Sequence, residues 1–115
     1  MTSQEMKVSR GTKYDKGKPR YDLLDYEMVD GVAQVMAFGA EKYDEHNWRG
    51  GIHWSRLFRS AIGHIINAFF KEWLDEESGL PHLDHAVCCI MMLRRYMSDP
   101  AYADLDDRYK PNEEK

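Results

Sequence analysis

The apolar residues of this chain recur at helical spacing in three separate stretches. Val29, Val32, Ala33, Met36, Ala40 and Tyr43 follow the three-and-four rhythm of one helix face. Gly31 and Gly39 fall inside that stretch, and each weakens a helix by about 1 kcal/mol relative to Ala, so this helix depends on tertiary packing. The broadest stripe is Trp54, Leu57, Phe58, Ala61, Ile62, Ile65, Phe69 and Trp73, about five turns at 3.6 residues each. It predicts a helix running to Trp73 and ended by Asp75-Glu76-Glu77 and Ser78-Gly79. The third stripe is Leu83, Ala86, Val87, Ile90, Leu93 and Met97, opened by Pro81 and stopped by Ser98-Asp99-Pro100. Residues 46–53, with Asn47, Gly50 and Gly51, read as a loop.

The flanks differ from this centre. Residues 1–20 carry Lys7, Arg10, Lys13, Lys16, Lys18 and Arg20 with almost no apolar content, and read as an extended basic arm. Residues 101–115 read as a C-terminal tail with room for one more turn and a frayed end. Strand-like alternation and internal repeats are absent. The expectation is an all-α fold, a small bundle of three main helices within residues 21–100. So few helices with such wide apolar faces bury poorly alone, so completion as a homodimer or homotetramer is expected.

Composition narrows the classes. The chain has 115 residues, 43% hydrophobic and 31% charged, ordinary for one globular domain. Its net charge of −4 argues against a duplex nucleic-acid binder, whose affinity rests on neutralising phosphates. No run approaches the ~18 apolar residues of a membrane span, and residues 1–10 are unlike a signal peptide. The adjacent Cys88 and Cys89 suit reduced, buried thiols in a cytoplasm. Gly11 and Gly17 follow no strand, so they do not make a phosphate-binding glycine loop.

Candidate chemistry concentrates at the junction between the second and third helices. His64, Glu72, Asp75, Glu76, Glu77, His82, Asp84 and His85 lie there. Glu72 and Asp75 are three apart, as are His82 and His85, so each pair shares a face where its helix persists. Carboxylates on two helices are a usual way for a bundle to hold a divalent cation. Glu41-x-x-Asp44 offers a second acidic pair that can converge with Glu72-x-x-Asp75. Acidic runs at helix ends are also common as solvated caps. A zinc reading of His82, His85 and Cys89 lacks an evident fourth ligand. Around the first loop, Tyr43, Asn47, Trp48, Arg49, Arg56 and Arg59 combine bases with aromatics, and Lys13, Lys18 and Arg20 arrive from the arm. Such groups match phosphate oxygens and a nucleobase. Acid for a cation and base for a polyphosphate point to a nucleoside triphosphate as small-molecule partner.

Three blocks resemble the phage dATP/dGTP diphosphohydrolase family. They are residues 13–20 (Lys-Tyr-Asp-Lys-Gly-Lys-Pro-Arg) with Asp22-Leu23-Leu24, then Phe38-Gly39-Ala40-Glu41-Lys42-Tyr43 with Asn47-Trp48-Arg49, then His64, Glu72, Asp75, residues 77–83 and His85-Ala86. The resemblance implies a MazG-like all-α pyrophosphatase in a host-cell cytoplasm that uses Mg²⁺ or Mn²⁺. It implies cleavage of dATP and dGTP to monophosphate and pyrophosphate, in service of phage DNA containing 2-aminoadenine. Glu72 and Asp75 are then expected to hold the cation, with Glu77 or Glu76 accepting the proton of water. His64, His82, His85, Glu41 and Asp44 complete the list of candidate metal ligands. Lys18, Arg20, Lys42, Arg49 and Arg59 are expected on the phosphates, with Asn47 and Trp48 at the base. The broader superfamily is similar in using two acidic helix pairs, whereas here His82 and His85 stand where the second pair is sought. Histidine ligands favour Mn²⁺ over Mg²⁺; alternatively Glu41 and Asp44 supply that pair. Rival readings are a non-catalytic nucleotide-binding regulator, a general nucleotide-pool sanitiser, and an interaction protein whose arm folds on an acidic partner.

Overall fold

A computed structural model describes residues 10–111. Helix α1 spans Tyr26–Tyr43, α2 spans Trp54–Phe70 and α3 spans His82–Ser98. Short 3₁₀ turns occupy Tyr21–Leu23, Asn47–Gly50 and Pro100–Leu105. Among the described residues no strand forms, and the sole extended pairing is an isolated bridge between Leu74 and Pro81.

Helix α1 begins ahead of its first periodic residue because Asp25 caps it, the carboxylate accepting from the Met28 N–H at 3.0 Å. Both α1 and α2 pack on α3 and scarcely touch each other, so α3 is the central element. Gly31 explains the α1–α3 crossing: a β-carbon there would lie 2.3 Å from Asp84 Oδ2. The glycine that weakens α1 in isolation is thus what lets the buried Asp84 side chain approach it.

Helix α2 stops at Phe70 rather than reaching Trp73. Lys71 leaves the helical region (φ −124°, ψ −75°), and the N–H groups of Lys71 and Glu72 both donate to the Asn67 carbonyl. The chain then doubles back, with Asp75 N donating to Leu80 O at 2.8 Å and His82 N to Trp73 O at 3.0 Å. Trp73 belongs to no buried stripe and is 61% exposed. The expected helical Glu72-x-x-Asp75 pair is therefore a loop pair, and helix register does not align it.

The core comprises Trp48, Trp54, Leu57, Leu93 and Tyr96. The Tyr96 hydroxyl is its polar anchor, donating to the Trp48 carbonyl and accepting from Ile52 N–H at 3.1 Å. Residues 100–108 are part of the body, more structured than a tail with one turn. Tyr102 donates to the Arg49 carbonyl at 2.6 Å, and Arg108 lies over the Trp54 ring. Helix α2 has no capping side chain at His53. Asp107 serves instead, taking the Ser55 N–H at 2.9 Å and the Ser55 hydroxyl at 2.7 Å. Residues 112–115, the expected frayed end, and residues 1–9 of the arm lie outside the described residues.

Candidate functional site

The loop from Lys71 to Pro81 is shaped by its own side chains. Asp75 Oδ2 accepts from the N–H groups of Glu77 and Ser78 at 3.1 and 3.0 Å, and Ser78 Oγ accepts from Leu80 N–H at 3.1 Å. Asx and Ser turns of this kind tighten a loop without a helix. The loop faces His64 on α2 and the first turn of α3. His82 is the buried centre of the cluster. Its Nε2 lies 3.0 Å from Glu72 Oε2, and its Nδ1 lies 2.9 Å from His64 Nδ1 and 3.9 Å from Asp75 Oδ1. His85 stacks on His64, with centroids 4.6 Å apart and ring planes 12° from parallel, while its Nε2 meets Ser78 Oγ at 2.7 Å.

The surroundings of His64 and His85 favour their neutral forms. Burial, reinforced by His85 and His82, holds His64 below the ordinary histidine range. Burial also lowers His85, against the opposing pull of Asp75. Burial opposes charge on Asp75, but the Ser78 N–H and the nearby His85 outweigh it and leave the carboxyl more acidic than usual. Neutral imidazoles beside an ionised carboxylate are the protonation states a cation requires. Ligand atoms of His64, Asp75 and His82 all lie within 4.8 Å of one another. Two imidazole nitrogens and one carboxylate oxygen suit Mn²⁺ or a later first-row ion better than Mg²⁺, which prefers an all-oxygen shell. Glu72, on the far side of the His82 ring, is placed to fix its tautomer so that Nδ1 carries the lone pair.

A cavity of about 610 Å³ opens beside this cluster, within the size range of small-molecule sites. His64, Asp75, Glu77 and His85 line one part of it, Lys42, Arg56 and Arg59 supply cations, and Asp44, Asn47 and Trp48 also border it. Val35, Met36, Phe38, Cys88, Cys89 and Met92 make its apolar lining. Lys42 is paired with Glu77 at 2.7 Å, which raises its already high pKa. The Cys88 thiol is pushed up to about 12 by burial and its Sγ donates to the Val32 carbonyl. It is thus an inert packing group.

The remaining sequence candidates fall elsewhere. Glu72 and His82 are not among the residues that line the cavity, and Glu41 and Glu76 are exposed and do not border it. Trp48 borders the cavity but packs in the core, its ring covered by the Arg49 guanidinium 4.5 Å away, and Arg49 itself is not at the cavity. Lys18 and Arg20 lie on the exposed arm, where Arg20 forms a two-point pair with Asp22. Sequence reasoning missed Ser78 as the partner of His85, although its place between Asp75 and His82 is an Asx-turn signal. It also missed the apolar cavity lining, because Met36 and Cys89 read only as packing residues and Met92 lies off the stripe that defined the third helix.

The fold and site define a class: an all-α domain with a histidine–carboxylate cluster at the rim of a cation-lined, nucleotide-sized cavity. The chain matches the family described as "dATP/dGTP diphosphohydrolase, N-terminal" over residues 8–108. It belongs to that family. It is also 34% identical over 83 residues to a dATP/dGTP diphosphohydrolase of Salmonella phage PMBT28. That match spans 72% of this chain but 28% of the relative's length. No solved structure matches the chain. No described helix is long and apolar enough to cross a membrane.

Proposed function

We propose that this domain hydrolyses purine deoxynucleoside triphosphates to monophosphate and pyrophosphate, with a divalent cation held by His64, Asp75 and His82. The observation that carries the reading is the juxtaposition of that cluster with Lys42, Arg56 and Arg59 around one cavity. Membership of a family named for dATP and dGTP hydrolysis supports the substrate class. A cation there supplies positive charge to the phosphate oxygens and acidifies an attacking water.

The chain's own residues do the rest. Arg56 and Arg59 take the phosphate oxygens, with Lys42 beside them, and stabilise charge as the bond between the α-phosphorus and its bridging oxygen breaks. Water adds its oxygen to the α-phosphorus, and pyrophosphate leaves with the bridging oxygen. Glu77, which lines the cavity and pairs with Lys42, accepts the water proton in this reading. Glu72 orients His82. The apolar lining and Asn47 are suited to the nucleoside end. The donor set ranks Mn²⁺ above Mg²⁺. Service to 2-aminoadenine DNA, with dATP removed and dGMP supplied, rests on the family resemblance alone.

The test is a panel of the eight common NTPs and dNTPs with Mn²⁺ or Mg²⁺, scored for pyrophosphate release. Release from dGTP and dATP, lost in Asp75→Asn, is expected. Tight binding of dGTP without release under Mn²⁺ would make the domain a nucleotide-binding regulator instead.

A further inference from the structure

We propose that two copies of this chain exchange their N-terminal segments, residues 13–29 of each lying across the α2 end and acidic loop of the other. The proposal deepens the expectation of oligomers and meets the nucleotide reading at the acidic loop, where Asp75 and Glu77 also border the cavity. Every described residue from Arg10 to Asp30 is exposed. Yet this segment is locally ordered, by the Lys18 N–H to Asp15 carbonyl turn and by the Asp25 cap, and it is studded with apolar groups. Leu23, Leu24, Tyr26 and Val29 are all more than half exposed. An ordered element that presents its apolar side to water lacks its partner.

The complementary surface is on the same chain. Ile66, Phe69 and Phe70 at the end of α2 and Trp73 in the following loop are also exposed, and that loop carries Glu72, Asp75, Glu76 and Glu77. Residues 1–20 hold six Lys and Arg against two acids, a net +4, so the other residues carry −8. Among the described residues the arm's one ion pair is Arg20 with Asp22, leaving Lys13, Lys16 and Lys18 for an acidic partner surface. Projection and receptor on one chain form a self-complementary pair that a two-fold axis closes.

The experiment refolds ¹⁴N- and ¹⁵N-labelled chains together and couples lysines to carboxylates with a zero-length carbodiimide. About half of the peptides joining the arm to residues 72–77 should pair light with heavy chain, as random two-fold pairing requires. Arm-to-loop peptides of one isotope only would mean that the arm folds back on its own chain, and absence of such peptides would mean it docks elsewhere; either overturns the proposal. Sedimentation of Leu24→Glu supplies the second measurement. Its dimer should dissociate at least tenfold more readily with helical circular dichroism unchanged, and an unaltered dimer would equally overturn it.

Discussion

Replacing Glu72 by Gln changes one atom type and asks whether this carboxylate orients a metal-binding ring. Glu72 Oε2 sits 3.0 Å from His82 Nε2, and the opposite nitrogen of the same ring faces His64 and Asp75. An ionised carboxylate there holds the proton on Nε2 and leaves Nδ1 free to bind. Glutamine offers a neutral acceptor, or its amide N–H after a flip, and the flipped form drives the proton to Nδ1, where it competes with the cation. Loss of such an outer partner weakens metal affinity by 10–100-fold in other sites, which is about 1.4–2.7 kcal/mol. We expect Mn²⁺ titrated calorimetrically into Glu72→Gln to bind within that range of weakening, with the fold intact by circular dichroism. Asp75→Asn, at a direct ligand, should weaken binding more. Glu41→Gln, exposed and outside the cavity, should not change it. Unchanged affinity in Glu72→Gln refutes the orienting role, and a loss equal to that of Asp75→Asn would make Glu72 a ligand itself.

Three further outcomes follow from the geometry. Tyr96→Phe leaves the Trp48 carbonyl and the Ile52 N–H without their common partner, so thermal melting should show a loss of about 2–4 kcal/mol, at ~1–2 kcal/mol per orphaned group. Asp107→Ala removes the cap of α2 and should cost about 1 kcal/mol by urea unfolding; no loss would make the 100–108 segment dispensable. His64 and His85 are held below the ordinary value of 6.5 in the folded chain, so their contribution is complete above that pH and lost as pH falls through their folded values. Melting temperature should therefore be flat from pH 8 to 7 and decline below 6.5, and the decline should be shallower in His64→Gln; a rise on acidification would contradict the neutral assignment.

Much of this protein was legible from its sequence. Three apolar stripes at 3.6-residue spacing announced α1, α2 and α3, because a helix must bury one face and that requirement is written locally. Asp75, His64 and His82 could be named as neighbours from their places around one interhelical junction. What local pattern could not decide was the geometry of that junction. The stripe through Trp73 counts an aromatic residue without knowing whether anything covers it, so the helix end at Phe70 and the loop position of Glu72 were invisible. The same blindness applies to Gly31, whose cost to α1 is local while its reason, the Asp84 carboxylate, is 53 positions away. Asp107, read as tail, caps a helix begun 53 residues earlier. Sequence fixes which side chains are available and which helix face is apolar, since those depend on covalent order and solvent. Which imidazole nitrogen meets which carboxylate depends on how α2 and α3 pack and how the chain turns between them, and only the folded molecule decides that.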